Sequence, residues 1–290
     1  MYGDFGSYGM SLVVNTNIGS LNAQRFLASS SNELAIAMER LSSGKKINSA
    51  ADDAAGFAIA ERMTAQVRGL NMATKNTNDG LSLLAVIENA TNDVTDMLQR
   101  MRELAIQAAN DTNGGTDRSF LNDELNALKE EIQRVANQTE FNGKAYLSES
   151  TAGQTISFQV GTNEGQNISV AFNSVSIHHL GPWLDGGTHT LNDTDLTDSS
   201  LDNMGIIDTA IEQVSAQRAK YGALQNRLQY TVSNLMNVAE FTTAARSRIE
   251  DADFAAESAR LAKAQVLQQT GTAMLAQANS SSQLVLSLVR

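Results

Sequence analysis

The feature that most constrains this chain is an apolar row that recurs at alternating spacings of three and four residues. It runs through Ile59, Met63, Leu70, Ala73, Leu84, Ile87, Val94, Leu98, Met101, Ala105 and Ala108. It returns as Ile207, Ile211, Val214, Tyr221, Leu228, Val232, Leu235 and Ala239. A last row follows through Ala264, Leu267, Gly271, Met274, Ala278, Val285 and Leu288. Stripes this narrow cannot build a core on one helix, so the helices must pair with each other or with other chains. The expectation is a rod or polymer, not an enzyme built around a pocket.

Composition agrees. Aromatic residues are 5% of the 290, with one Trp and one Pro, so a large globular core is not expected. Pro182 lies in the middle of the chain and interrupts no helical pattern. A net charge of -11 argues against nucleic acid as a partner, because phosphate binding needs a basic face. No apolar run is long enough to span a bilayer, so no membrane insertion is expected. The N-terminus lacks the basic start and apolar block of a secretory signal peptide. Zero Cys excludes disulfides and thiolate metal sites but does not fix the compartment.

Residues Met1–Gly9 are rich in Gly and Tyr, without period, and read as a flexible tail. A first helix is expected from about Asn17 to Ser43, with Leu27, Leu34, Met38 and Leu41 on one face and Gly44 as its C-terminal cap. Ser49 and Asp52 match a capping box, in which the hydroxyl accepts an amide and the carboxylate reaches back. A very long helix then extends to about Asn110, and Asp111–Gly115 breaks it. The next helix carries Leu121, Leu125, Leu128, Ile132 and Val135 on one face and ends before the turn signal Phe141-Asn142-Gly143. Between Thr151 and Thr197 the pattern changes. Ile156, Phe158 and Val160 alternate, as do Ile168, Val170 and Phe172, which predicts a β-hairpin. His178–Leu196 reads as a polar loop. Ser199 and Asp202 match a second capping box, and helical spacing resumes to about Arg246, with a short acidic break at Glu250–Asp253 before the last helix.

Little in the chain resembles a reactive site. His178, His179 and His189 with Asp185 are the one group resembling metal ligands, but adjacent histidines rarely converge on an ion and all four fall in a polar loop. No nucleophile elbow is present, and neighbouring acids such as Asp52/Asp53 and Glu130/Glu131 diverge on a helix. Asn167-Ile168-Ser169 and Asn192-Asp193-Thr194 match the N-glycosylation pattern only weakly without a Sec route. The methionines fall on apolar rows, where packing explains them. No catalytic residue, cofactor or metal is expected.

Several long segments carry a resemblance. Asn15-Thr16-Asn17 is followed by ERLSSGKKINSAADDAAGFAIAERM from Glu39, LQRMRELAIQAAN from Leu98 and NQTEFNGKAYL from Asn137. The C-terminal part holds YGALQNRLQYTVSNL from Tyr221, ARSRIEDADFAAESARLAKAQVLQQ from Ala245 and the ending VLSLVR from Val285. In this order they closely resemble bacterial flagellin, over nearly all the chain except Met1–Gly9 and about Thr151–Thr197. The family usually begins near Met10-Ser11, so Met1–Gly9 is an extension, and the middle insert is short beside many relatives.

The resemblance implies a mainly α fold, a long antiparallel coiled-coil-like helical hairpin formed by the N- and C-terminal arms, with a small β-hairpin insert. It implies inner-core helices at 10–50 with 250–290, an outer-core rod at 51–150 with 198–249, and a variable surface insert at 151–197. From the residues themselves, the thin Ala, Ser, Gly and Met stripes of the arms predict disorder until neighbours bury them, and the β alternation and polar loops of Thr151–Thr197 predict an insert replaceable by a short turn. The implied function is a subunit that polymerises with its own kind into a hollow filament and transmits motor torque. Export through the flagellar channel, an export chaperone, a cap protein and a hook–filament junction protein follow from the same resemblance. The polymerisation seam would comprise Leu27, Leu34, Met38, Leu41, Leu267, Met274, Val285 and Leu288. By motif matching, Arg100, Leu104 and Glu124 would be read by the vertebrate toll-like flagellin receptor. The alternatives are a hook–filament junction protein, or a cell-surface binding protein on the same scaffold that uses Trp183 and the insert histidines.

Overall fold

The computed structural model describes residues 16–149, 153–181, 183–184, 187–188, 190–198 and 202–288, without the side chains of 183, 184, 187, 188 and 282–288. Met1–Gly9, Pro182, Asp185, His189, Ser199 and the side chains of Trp183, Val285 and Leu288 lie outside the described residues. The elements are α1 (Ile18–Ser43), α2 (Ala54–Ala108), α3 (Gly115–Gln138), β1 (Glu140–Phe141), β2 (Lys144–Ala145), β3 (Gln154–Gln159), β4 (Asn167–Phe172), β5 (Trp183–Leu184), β6 (Gly187–Thr188), α4 (Asn203–Glu250) and α5 (Phe254–Leu288). The strands pair consecutively as three antiparallel hairpins, β1 with β2, β3 with β4 and β5 with β6. The chain forms two compact units, residues 1–64 with 242–290 and residues 65–241.

The helix ends follow local chemistry. Asn17 caps α1 by accepting from the Ser20 amide at 3.0 Å, and Gly44 ends it at φ 71°, where an L side chain would be strained. At the second helix the expected box is only half built. The Asp52 carboxylate accepts from the amides of Ser49 (2.9 Å) and Asn48 (3.0 Å), which hold its pKa below the usual value. The Ser49 hydroxyl donates to that carboxylate at 3.2 Å, while Asp53 caps α2 through the Gly56 amide at 2.9 Å. Similarly, Asp202 caps α4 by accepting from the Gly205 amide at 3.0 Å. At the β1–β2 turn, Asn142 (φ 53°) and Gly143 (φ 74°) supply the two left-handed residues of a tight two-residue hairpin.

In the 65–241 unit the heptad row is continuous over Leu70, Ala73, Thr77, Gly80, Leu84, Ile87, Thr91, Val94, Leu98, Met101, Ala105 and Ala108, every one buried. Thr77 and Thr91 fill gaps that a purely apolar reading leaves open. Their hydroxyls donate to the carbonyls of Ala73 (2.7 Å) and Ile87 (2.9 Å) one turn earlier, so burial orphans no polar group. Gly80 is small for a different reason: an added Cβ would meet the Phe158 ring of β3 at 3.2 Å. α4 packs antiparallel to α2, with Arg102–Asp208 at 2.5 Å, Thr95–Arg218 at 3.4 Å and Glu88–Gln225 at 2.7 Å. Tyr221 of α4 is fully buried against Phe172, and burial pushes its hydroxyl up to about 12, with the Asn173 backbone opposing weakly.

The segment read as a polar insert supplies much of this core. β3 and β4 pair with Ile156 opposite Val170 and Phe158 opposite Ile168, as the alternation predicts. Ile168, Val170, Phe172, Val175, Ile177, Leu180, Leu191 and Leu196 are buried in one cluster with α2, α3 and α4. The polar residues of His178–Leu196 conceal this because they bond locally, as when Asp193 accepts from the Thr190 amide at 2.7 Å. Lys129 of α3 is buried there as well. Its ammonium donates to the carbonyls of Asn192 (3.2 Å) and Thr194, and burial lowers its pKa.

In the other unit α1 and α5 are both helical and pair antiparallel. Asn17 Nδ2 donates to the Ala278 carbonyl at 2.8 Å, and an added Cβ on Gly271 would lie 3.3 Å from Leu27 Cδ1. The least exposed positions run Ser20, Ala23, Leu27, Ser30, Leu34, Ala37 and Leu41 on α1. Their counterparts on α5 are Glu257, Leu261, Ala264, Gln268, Gly271, Leu275 and Ala278. α1 and α5 are thus continuous helices in this structure, joined by a seam that intersperses Leu with Ser, Ala and Gly.

Candidate functional site

Two surfaces carry the residues singled out by sequence. The first is the open side of the α1–α5 pair. Leu27, Leu34 and Leu41 lie half-buried on the seam between the two helices. Met38, Leu267 and Met274 do not. They are 56%, 42% and 65% exposed, while Ala37, Gln268 and Leu275 take the inward positions. At two of these three steps the outward residue is the larger apolar one, Met38 beside Ala37 and Leu267 beside Gln268. Close approach of the backbones favours the small or differently phased one, as where Gly271 meets Leu27. Gln268 then faces α1, with its amide 3.5 Å from Ser31 Oγ.

Two of the displaced side chains share one groove, and Met38 lies outside it. Leu267, Met274 and Phe26, which is 75% exposed, line a groove of about 710 Å³ floored by Gly19, Ala23, Ser30, Gly271 and Ala278. Gln277 lines it too. Sequence reasoning missed Phe26, although an aromatic one position off the seam of a helix rich in Ser and Ala was the available signal. A groove of large apolar walls and small floor residues can seat bulky side chains of a partner helix, and water covers it poorly.

The second surface lies on α2 and α3. Arg100 and Glu124 come together: Nε donates to Glu124 Oε1 at 2.9 Å and Nη2 lies 2.8 Å from the same oxygen. Glu103 takes Arg100 Nη1 at 2.9 Å. These bonds, chiefly that from Glu124, raise the Arg100 pKa. Arg100 and Glu124 are about half exposed and Glu103 more so, so the pairs themselves add little stability. Leu104 is not part of this surface. It is fully buried in the α2–α3–α4 core, because its position beside the heptad row turns it towards α3. His178 and His179 are exposed, as expected for the insert histidines that lie within the described residues.

Comparison with known proteins gives the family of the chain. Residues 14–152 match the bacterial flagellin N-terminal helical region, and residues 204–289 match the bacterial flagellin C-terminal helical region. A flagellin of Halalkalibacterium halodurans is 42% identical over 282 residues, covering 96% of this chain and all of its own length. A flagellin of Bacillus subtilis is 43% identical over 302 residues, covering 96% of this chain and 99% of its own. A solved structure assigned to a flagellar hook-associated protein of Vibrio parahaemolyticus is 15% identical, covers 69% of this chain and 100% of its own, and has a TM-score of 0.56, a likeness of fold alone. With both helical regions matched in order around the paired arms, the chain belongs to the bacterial flagellins, a family of structural filament subunits.

Proposed function

We infer that this chain polymerises with copies of itself into a hollow helical flagellar filament, and that α1 and α5 supply the contacts between subunits. The observation that carries the reading is the open face of the arm pair, where Phe26, Leu267 and Met274 are large, apolar and exposed. Helices rarely leave such residues to solvent over a length like this unless another chain covers them. Torque transmission, delivery through the flagellar export channel and encounters with an export chaperone, a cap protein and a junction protein follow as parts of this role. Full-length chain removed of 10–50 and 250–290 tests it. The remaining helices are expected to give a cooperative thermal unfolding transition by circular dichroism and no filaments by electron microscopy. Filaments of normal length from the truncated chain would remove the arms from the mechanism. Mass spectrometry of sheared filaments separates this role from that of a junction protein or envelope-bound protein, since only a filament subunit is their abundant component.

Arg100 and Glu124 are the residues offered to the toll-like flagellin receptor. They are exposed, mutually aligned and free to exchange their own pairing for partner groups of opposite charge. Leu104 contributes only by holding the helix beneath them. In a reporter assay with monomer, Arg100→Ala and Glu124→Ala are each expected to lower signalling by about tenfold, the effect of losing one interfacial charge pair. Undiminished signalling by both variants rejects this surface. Leu104→Ala is expected instead to lower the thermal midpoint, as a cavity in a close-packed core does.

A further inference from the structure

The seam repeats half-buried Leu among Ser, Ala and Gly at the same heptad spacing on both helices, so a shift by one heptad replaces like with like and apolar fit alone discriminates weakly between registers. Two carboxylates are drawn inward where α1 passes into α2 and α4 into α5. Glu257, with a side chain 6% exposed, presents Oε1 to Arg40 Nη1 of α1 at 3.1 Å and Oε2 to Arg260 Nη1 at 3.2 Å. Glu250 lies between Lys45 of the α1–α2 connection and Arg246 Nε, the latter at 3.8 Å. The two connections are also sewn together by backbone: the Lys46 amide donates to the Glu250 carbonyl at 2.7 Å and the Ala252 amide to the Gly44 carbonyl at 2.9 Å. Ile47 is buried beneath them, and Gly56 is small because a Cβ there would meet Ile47 Cδ1 at 2.7 Å.

We propose that Glu257 and Glu250 form an ionic clasp that fixes the register of α1 on α5, and that Arg40–Glu257 is its deciding pair. The physical reason is asymmetry. A buried carboxylate oxygen that keeps its guanidinium is tolerated, whereas one that loses it is penalised, so a register that parts Arg40 from Glu257 Oε1 is disfavoured even though Arg260 still holds Oε2. The small seam then zips outward from the clasp to the Asn17–Ala278 contact at its far end. Arg260 is 66% exposed and balances the second oxygen from solvent without linking the two helices. Glu257 and Arg40 are positioning residues. This proposal rests on the filament reading, which the parent chain tests by polymerising at all.

The experiment is seeded polymerisation of the full chain with Glu257→Gln, Arg40→Gln and the exchange Arg40→Glu/Glu257→Arg, together with thermal unfolding of each monomer. Each single variant is expected to raise the critical concentration by about tenfold, and the exchange to return it to within about threefold of the parent, since complementary charges restore the pair. Unfolding of the 65–241 unit is expected to be unchanged, because Arg40 and Glu257 both lie in the other unit. Polymerisation of Glu257→Gln at the parental critical concentration overturns the proposal, as does an exchange variant no better than the singles. Loss of the monomer transition also overturns it, because that would assign the pair to folding of the long helices.

Discussion

Met274→Asp is expected to raise the critical concentration for polymerisation by at least about a hundredfold while moving the monomer's thermal midpoint by less than about 2 °C, because the charge is buried only on assembly. In the isolated chain Met274 is 65% exposed at the edge of a groove with Phe26 and Leu267, so a carboxylate there stays hydrated. Once a neighbouring copy covers the groove, the same carboxylate must shed water without a cationic partner, at a cost of several kcal/mol in every subunit. Gln277→Glu is the matched comparison. Gln277 lines the same groove, but it is already polar and its replacement removes no apolar contact area, so a milder rise is expected. Seeded growth followed by light scattering, with calorimetry of the two monomers, reads both quantities. Growth of Met274→Asp at the parental rate would show that this groove faces solvent in the polymer.

Replacing residues 151–197 with a short Gly/Ser turn is expected to abolish cooperative unfolding of the 65–241 unit, the reverse of the tolerance anticipated from its polar sequence. The deletion removes eight buried apolar side chains, from Ile168 to Leu196, that share one cluster with α2, α3 and α4. At roughly 1.5–3 kcal/mol each, their burial matches or exceeds the whole stability of an ordinary domain, about 5–15 kcal/mol. Lys129 would lose both carbonyl acceptors, and Tyr221 would lose the Phe172 ring packed against it. Near-ultraviolet circular dichroism and hydrogen exchange of the shortened chain decide the matter. A sharp thermal transition near the parental midpoint, with normal filament growth, would show that the helices close the gap by themselves.

Much of the fold is legible in the residues. Alternating spacing gives the length of α2 and α4, Gly44 ends α1, and the two alternating runs give β3 and β4 in the observed pairing. These succeed because backbone geometry and side-chain period are local properties. The motifs around Glu39–Met63 and Ala245–Gln269 suffice to identify the family, and they hold every residue of the Arg40–Glu257 and Lys45–Glu250 clasp. Nothing in the linear order links these side chains, since Arg40 and Glu257 are 217 residues apart.

Where the reading failed, the missing information was three-dimensional. Thr77 and Thr91 look like breaks in an apolar row, yet each satisfies its hydroxyl on its own helix and then packs as a small apolar group. Met38, Leu267 and Met274 look like seam residues, yet Ala37, Gln268 and Leu275 take the inward positions. Leu104 looks like a surface contact beside Arg100, yet α3 covers it. The sequence by itself determined that this protein is a paired-helix subunit of the flagellin family, because periodicity and motif order survive without coordinates. Only the tertiary structure decided which face of each helix is covered and which is left for a neighbour. Burial depends on what packs against a residue, and a helical period alone leaves that rotation free within one position.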